Sequence, residues 1–176
     1  MKLFVKYGLW TGIVSGLWGI VSFTAVGWLN RILFKGSIPA ADIRSYSGLF
    51  SILILAVGIY LAMKQARLRA GGVLTYGQAV KTGALVAVVT GLLAAAFSWL
   101  YCAVINPGYA NFMVQDTGRA LAAAGKTPQE IAQRLEGVRR EFSTGMQVME
   151  ALVGQVVVGV LISLILATLI RSRKSV

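Results

Sequence analysis

Four long apolar stretches dominate the chain, at about residues 7–29, 46–63, 79–105 and 146–170, with short polar segments and one longer one between them. Each comes close to or exceeds the roughly 20 apolar residues that a helix needs to cross a hydrocarbon core of about 30 Å. Their interiors hold no Asp, Glu, Lys or Arg; Lys81 and Glu150 stand near span ends. The pattern predicts an all-α integral membrane four-helix bundle, a single membrane domain over residues 1–176. Lys2 and Lys6 ahead of the first run are also what a cleaved signal peptide would show. The run continues past the 7–15 residues of such a peptide, so a retained span is expected.

The longer polar segment, residues 106–145, predicts a helical hairpin. Asn106-Pro107-Gly108 stops the third span, because proline cannot continue the helical ladder. A helix is expected from Tyr109 to Ala124, with Tyr109, Phe112, Met113 and Leu121 available for its apolar stripe and Gly125 as C-terminal cap. Thr127-Pro128-Gln129-Glu130 then reads as a strong helix start, with a capping Thr, Pro at the first position and Glu at the third. Ile131, Leu135, Val138 and Phe142 follow on one helix face. This amphipathic hairpin is expected to lie outside the cytoplasm as a structural cap, a lid over a cavity being the sharper alternative.

Packing inside lipid relies on close approach at small residues. Gly8, Gly12 and Gly16 form such a stripe on span one, Gly58 and Ala62 on span two, Gly83, Ala87 and Gly91 on span three, and Gly159, Ser163 and Ala167 on span four. Intramolecular packing accounts for these stripes; homodimerisation through span one is the alternative. Tyr7-Gly8 and Tyr76-Gly77 open two parallel spans, as two repeated helical hairpins would, but the likeness decays quickly beyond the pair and establishes no repeat. Trp18, mid-span, is expected to pack and not to stack on a ligand.

Charge then orients the bundle. Lys plus Arg number 17 against 6 Asp plus Glu. The side holding both termini and the second loop carries nine of the cations and none of the acids: Lys2, Lys6, Lys64, Arg67, Arg69, Lys81, Arg171, Arg173 and Lys174. Long loops count weakly in the positive-inside rule, so both termini are expected in the cytoplasm. Nucleic-acid binding is not expected, since cations are spread over both faces.

Chemistry is sparse. The chain has no His and one Cys, Cys102, which removes the commonest base and metal ligand. Cys102 is expected to be buried and unreactive. Glu130, Glu136 and Glu141 lie among Arg134, Arg139 and Arg140, which predicts surface ion pairs such as Glu136 with Arg140. Glu150 is the one ionisable candidate within the membrane: it could couple protons or bind a cation, although a helix N-terminus accounts for its position. Lys64, Arg67, Arg69 and Lys81 form a basic patch and are the candidate headgroup ligands. The glycines of Gly72-Val73-Leu74-Thr75-Tyr76-Gly77 lack the Lys-Ser/Thr of a phosphate loop. No catalytic residue, metal site or cofactor is expected.

From Met63-Lys64-Gln65 through Gly71-Gly72 to Leu74-Thr75-Tyr76-Gly77-Gln78-Ala79-Val80-Lys81-Thr82-Gly83 the chain resembles the bacterial domain-of-unknown-function family 4199, common in Bacteroidetes. Lys6-Tyr7-Gly8, Ile105-Asn106-Pro107-Gly108-Tyr109 and Gly159-Val160-Leu161-Ile162-Ser163-Leu164-Ile165 extend the likeness over nearly the whole chain. The resemblance implies a four-span bacterial inner-membrane protein with a helical insertion before the last span, and transfers no catalytic residue. The functional expectation is a non-enzymatic structural or accessory subunit of an envelope complex, in contact with the bilayer and with other membrane proteins or itself. The alternative is a small transporter or lipid-handling protein that binds anionic headgroups at the cytoplasmic face.

Overall fold

The computed structural model describes residues 2–33 and 40–170, without the side chains of 26–31, 33 and 40–46. The expected tail cations Arg171, Arg173 and Lys174, the loop Lys35, and the side chains of Trp28, Arg31, Asp42, Arg44 and Tyr46 lie outside the described residues. Helix α1 spans Leu3–Leu33, α2 Ala40–Arg69 and α3 Tyr76–Leu100. A π-helical turn, Tyr101–Ile105, continues α3. Helices α4 (Tyr109–Ala123) and α5 (Pro128–Glu141) follow, then α6 (Thr144–Ile170). Four of these are long and apolar enough to cross a membrane, over Leu3–Ala25, Ser47–Arg69, Tyr76–Ile105 and Thr144–Ile170.

Helix α2 runs beyond its apolar stretch at both ends. At its end Lys64-Gln65-Ala66-Arg67-Leu68-Arg69 are strong helix formers, so the backbone stays helical after hydropathy falls. Its stop is chemical. The Gly72 N–H donates to Arg67 O at 2.9 Å and the Gly71 N–H to Leu68 O at 3.3 Å, with Gly71 at φ +68°. This crossed pair is a Schellman motif, which needs a left-handed residue that glycine adopts without strain. Arg67 Nε also donates to Gly72 O at 2.9 Å and closes the loop from outside.

Thr75 starts α3 with a full capping box. The Gln78 N–H donates to Thr75 Oγ1 at 3.3 Å, and the Thr75 N–H donates to Gln78 Oε1 at 3.1 Å. At the far end the Asn106 N–H reaches back five residues to Tyr101 O at 2.7 Å, the signature of the wide π turn. Pro107 then blocks further helix.

The α4–α5 pair is built from the same rules. Gly125, at φ +73°, ends α4 through the Lys126 N–H to Leu121 O at 3.1 Å, a second Schellman motif. Thr127 and Glu130 form a reciprocal capping box, with the Thr127 N–H to Glu130 Oε2 at 2.9 Å and the Glu130 N–H to Thr127 Oγ1 at 3.4 Å. Of the apolar stripes, Tyr109, Met113, Val138 and Phe142 are buried. Phe112 faces outward, because Tyr109 and Met113 already fill the α4 face directed at the bundle.

Small residues determine how the spans meet. A Cβ on Gly12 would stand 2.6 Å from Leu93 Cδ1, and one on Gly8 2.5 Å from Val89 Cβ. Gly16 lies under the ring of Phe97. Three successive turns of α3 thus seat their side chains in the glycine stripe of α1. Gly58 receives Thr11, Gly83 receives Ser163 and Met63, and Gly159 receives Ala87. Thr90 Oγ1 donates to Gly8 O at 3.3 Å between α3 and α1. Leu55, Ile59, Met63, Val86 and Ala167 make a continuous core in the half of the bundle where α1 begins and α6 ends.

Candidate intramembrane chamber

The other half of the bundle is hollow. Here the four spans part around a cavity of about 510 Å³, within the range of small-molecule sites. Helix α1 contributes Ser15 and Gly19, α2 contributes Ser47, Gly48 and Ser51, and α3 contributes Phe97 and Ser98. Gln147, Glu150, Ala151, Gly154, Gln155 and Val158 line it from α6, at the spacing of one helix face. Tyr101, from the π turn, and Glu141 and Phe142, at the end of α5, complete the wall.

Two lining side-chain oxygens are unpaired among the described residues. Ser15 is 6% exposed, and neither its Oγ nor Gln155 Oε1 has a hydrogen-bond partner among the described residues. A buried polar atom left unpaired costs about 1–3 kcal/mol; Ser22 Oγ, which is not on the cavity wall, is a third such atom. Gln147 is committed. Its Nε2 donates to Glu141 O at 3.0 Å and to Glu150 Oε2 at 3.3 Å, joining the end of α5 to the start of α6.

Gly8, Gly12, Gly83 and Gly159 touch a neighbouring helix, whereas Gly19, Gly48 and Gly154 have nothing within 4 Å of a built Cβ, and these three line the cavity. They leave room.

An aromatic cluster roofs this end. The Phe23 and Tyr101 ring centroids lie 5.1 Å apart, Phe23 and Tyr109 5.5 Å, and Tyr109 and Phe142 6.0 Å. Asn106 Nδ2 donates to the Tyr101 hydroxyl at 3.2 Å, so the residue that ends span three also fixes a wall residue. Trp18 packs on Phe50 at 5.3 Å, and its Nε1 donates to Ser47 O at 3.1 Å. That bond ties α1 to α2 at the cavity edge and gives the mid-span indole a partner. Cys102 is buried beside Tyr101 and is in no disulfide.

The structure separates the sequence candidates. Glu150 lies on the chamber wall. Lys64, Arg67, Arg69 and Lys81 are exposed at the opposite end of the bundle, where Arg67 is bound to Gly72 O. Gly8, Gly12, Gly16, Gly83, Ala87, Gly91, Gly159 and Ser163 sit in contacts between helices, Ser163 Oγ also donating to Gly159 O at 2.6 Å. On α5, Arg140 pairs with Glu136 at 3.7 Å and Arg134 with Glu141 at 3.8 Å. No group of three or more His, Cys, Asp or Glu that could hold a metal occurs among the described residues.

Sequence reading singled out none of Ser15, Ser47, Ser51, Ser98, Gln147 or Gln155. The signal is partial: these polar residues interrupt apolar spans, but Thr11, Thr90 and Ser163 are buried polar residues of the shut half, so polarity alone does not single out the chamber. No curated protein and no solved structure matches the chain. A family model described as "Protein of unknown function (DUF4199)" matches residues 6–172. The chain belongs to that family.

Proposed function

We propose that this DUF4199 membrane protein is a non-enzymatic ligand-handling protein, a small transporter or lipid-handling protein whose site is the chamber between the spans. The observation that carries this reading is the pair of unpartnered polar atoms, Ser15 Oγ and Gln155 Oε1, on the wall of a 510 Å³ cavity. A bundle that served only to dock neighbours needs no such space. The accessory-subunit reading draws on the apolar outer surface, which a bilayer alone explains. The basic residues Lys64, Arg67, Arg69 and Lys81 belong to a different task in this proposal. They hold one end against an anionic leaflet, at about 1 kcal/mol per cation, and mark it as the cytoplasmic end of a bacterial inner-membrane protein.

Aqueous access tests the chamber. In a Cys102→Ala background, Ser98→Cys is expected to react with a membrane-impermeant maleimide. Thr90→Cys, at a fully buried position in the shut half, is expected not to. Equal inertness of both thiols would end the proposal.

A further inference from the structure

We propose that the chamber receives an ammonium group, carried by a small amine or by an amine-bearing lipid headgroup. The inference deepens the preceding reading and rests on it. Gln155 Oε1 is an acceptor only, and Ser15 Oγ accepts as readily as it donates. Both lie on the wall without a partner among the described residues. Hydroxyls of Ser51 and Ser98 add further lone pairs at the same wall. A ligand rich in N–H donors fits this set.

Charge selects among such ligands. The chain has 17 Lys plus Arg and 6 Asp plus Glu, yet among the described residues the chamber is lined by two carboxylates, Glu141 and Glu150, and by no Lys or Arg. Glu141 is 3.8 Å from Arg134, and Glu150 accepts from Gln147 at 3.3 Å. An anion would meet two carboxylates on this wall and no described Lys or Arg. The aromatic rings of Phe23, Phe97, Tyr101 and Phe142 add faces that attract a cation within about 6 Å of the ring centre. The space is far larger than a bare metal ion, and no chelating cluster occurs among the described residues.

The test uses the full chain in nanodiscs, with Ser98→Cys in the Cys102→Ala background and the maleimide reaction rate as readout. Ethanolamine is expected to slow labelling at least threefold, with equal concentrations of glycerol or acetate leaving it unchanged. Glu150→Gln is expected to raise the ethanolamine concentration needed by about tenfold while the thiol stays reactive. Slow labelling in phosphatidylethanolamine discs, with fast labelling in phosphatidylglycerol discs, assigns the ammonium group to a headgroup. Fast labelling in phosphatidylethanolamine discs that added ethanolamine then slows assigns it to a free amine. Should Ser98→Cys fail to fold, Ser51→Cys takes its place. Protection by glycerol or acetate as strong as by ethanolamine, or none in either lipid, overturns the ammonium assignment and leaves the chamber standing. A thiol that never reacts sinks the chamber reading itself.

Discussion

Glycine at position 12 and glycine at position 154 are the same residue with opposite consequences. Gly12 lies against Leu93, so Gly12→Ala pushes a methyl group into an occupied space. Overpacking of this kind costs about 1–3 kcal/mol, and thermal unfolding in detergent should show a lower midpoint. Gly154→Ala enters open space and removes only the backbone freedom of glycine. It should stabilise by up to about 1 kcal/mol in the same measurement. Glu130 gives a pH-dependent case. Its carboxylate is held below the ordinary 4.5 by the backbone N–H of Thr127 first, then by the Thr127 hydroxyl. Because the folded-state value is the lower one, this support is present above the unfolded value and is lost as pH falls through the folded one. Amide exchange in the first turn of α5 should therefore accelerate below about pH 4, near the unperturbed value of Glu, and Glu130→Gln should remove that acid step.

At the scale of elements, starts and stops were legible wherever a short local code exists. Thr127-Pro128-Gln129-Glu130 and Gly125 read directly, since their bonds close within a few residues. Thr75 with Gln78 follows the same code, closing its bonds within three residues, but lies among the glycines of Gly72 to Gly77, whose spacing is that of a phosphate loop. The helical extent of α2 could not be read from hydropathy, which reports the width of the lipid and says little about where backbone bonding ends. The π turn was likewise hidden: Asn106-Pro107 forecasts a stop but not the five-residue bond that precedes it. Two changes test these elements. Thr127→Ala should fray α5 by about 1 kcal/mol, seen as lost protection confined to its first turn. Thr90→Val should remove the bond to Gly8 O and cost about 0.6 kcal/mol in bilayer unfolding, the average for such bonds between membrane helices.

For the whole molecule, apolar periodicity and family resemblance were enough to foresee four spans, because lipid permits few alternatives to a helical bundle. The chamber was not foreseen, since it arises from where four inner faces part company, and that is a property of no single segment. Four crossings place the start of α1 and the end of α6 on one side, and reporter fusions at the two ends should register the same compartment, the cytoplasm by the charge argument. If the chamber takes a guest, the stripe contacts around Gly83, Ser163 and Met63 should act as the rivet of a pair of tongs whose jaws are the hollow half. Spin labels on Lys64 and Lys81, behind the rivet, should keep a fixed separation when a guest enters. Labels on Phe50 and Val153, beyond it, should draw together, and the difference between the two pairs measures how far the jaws travel.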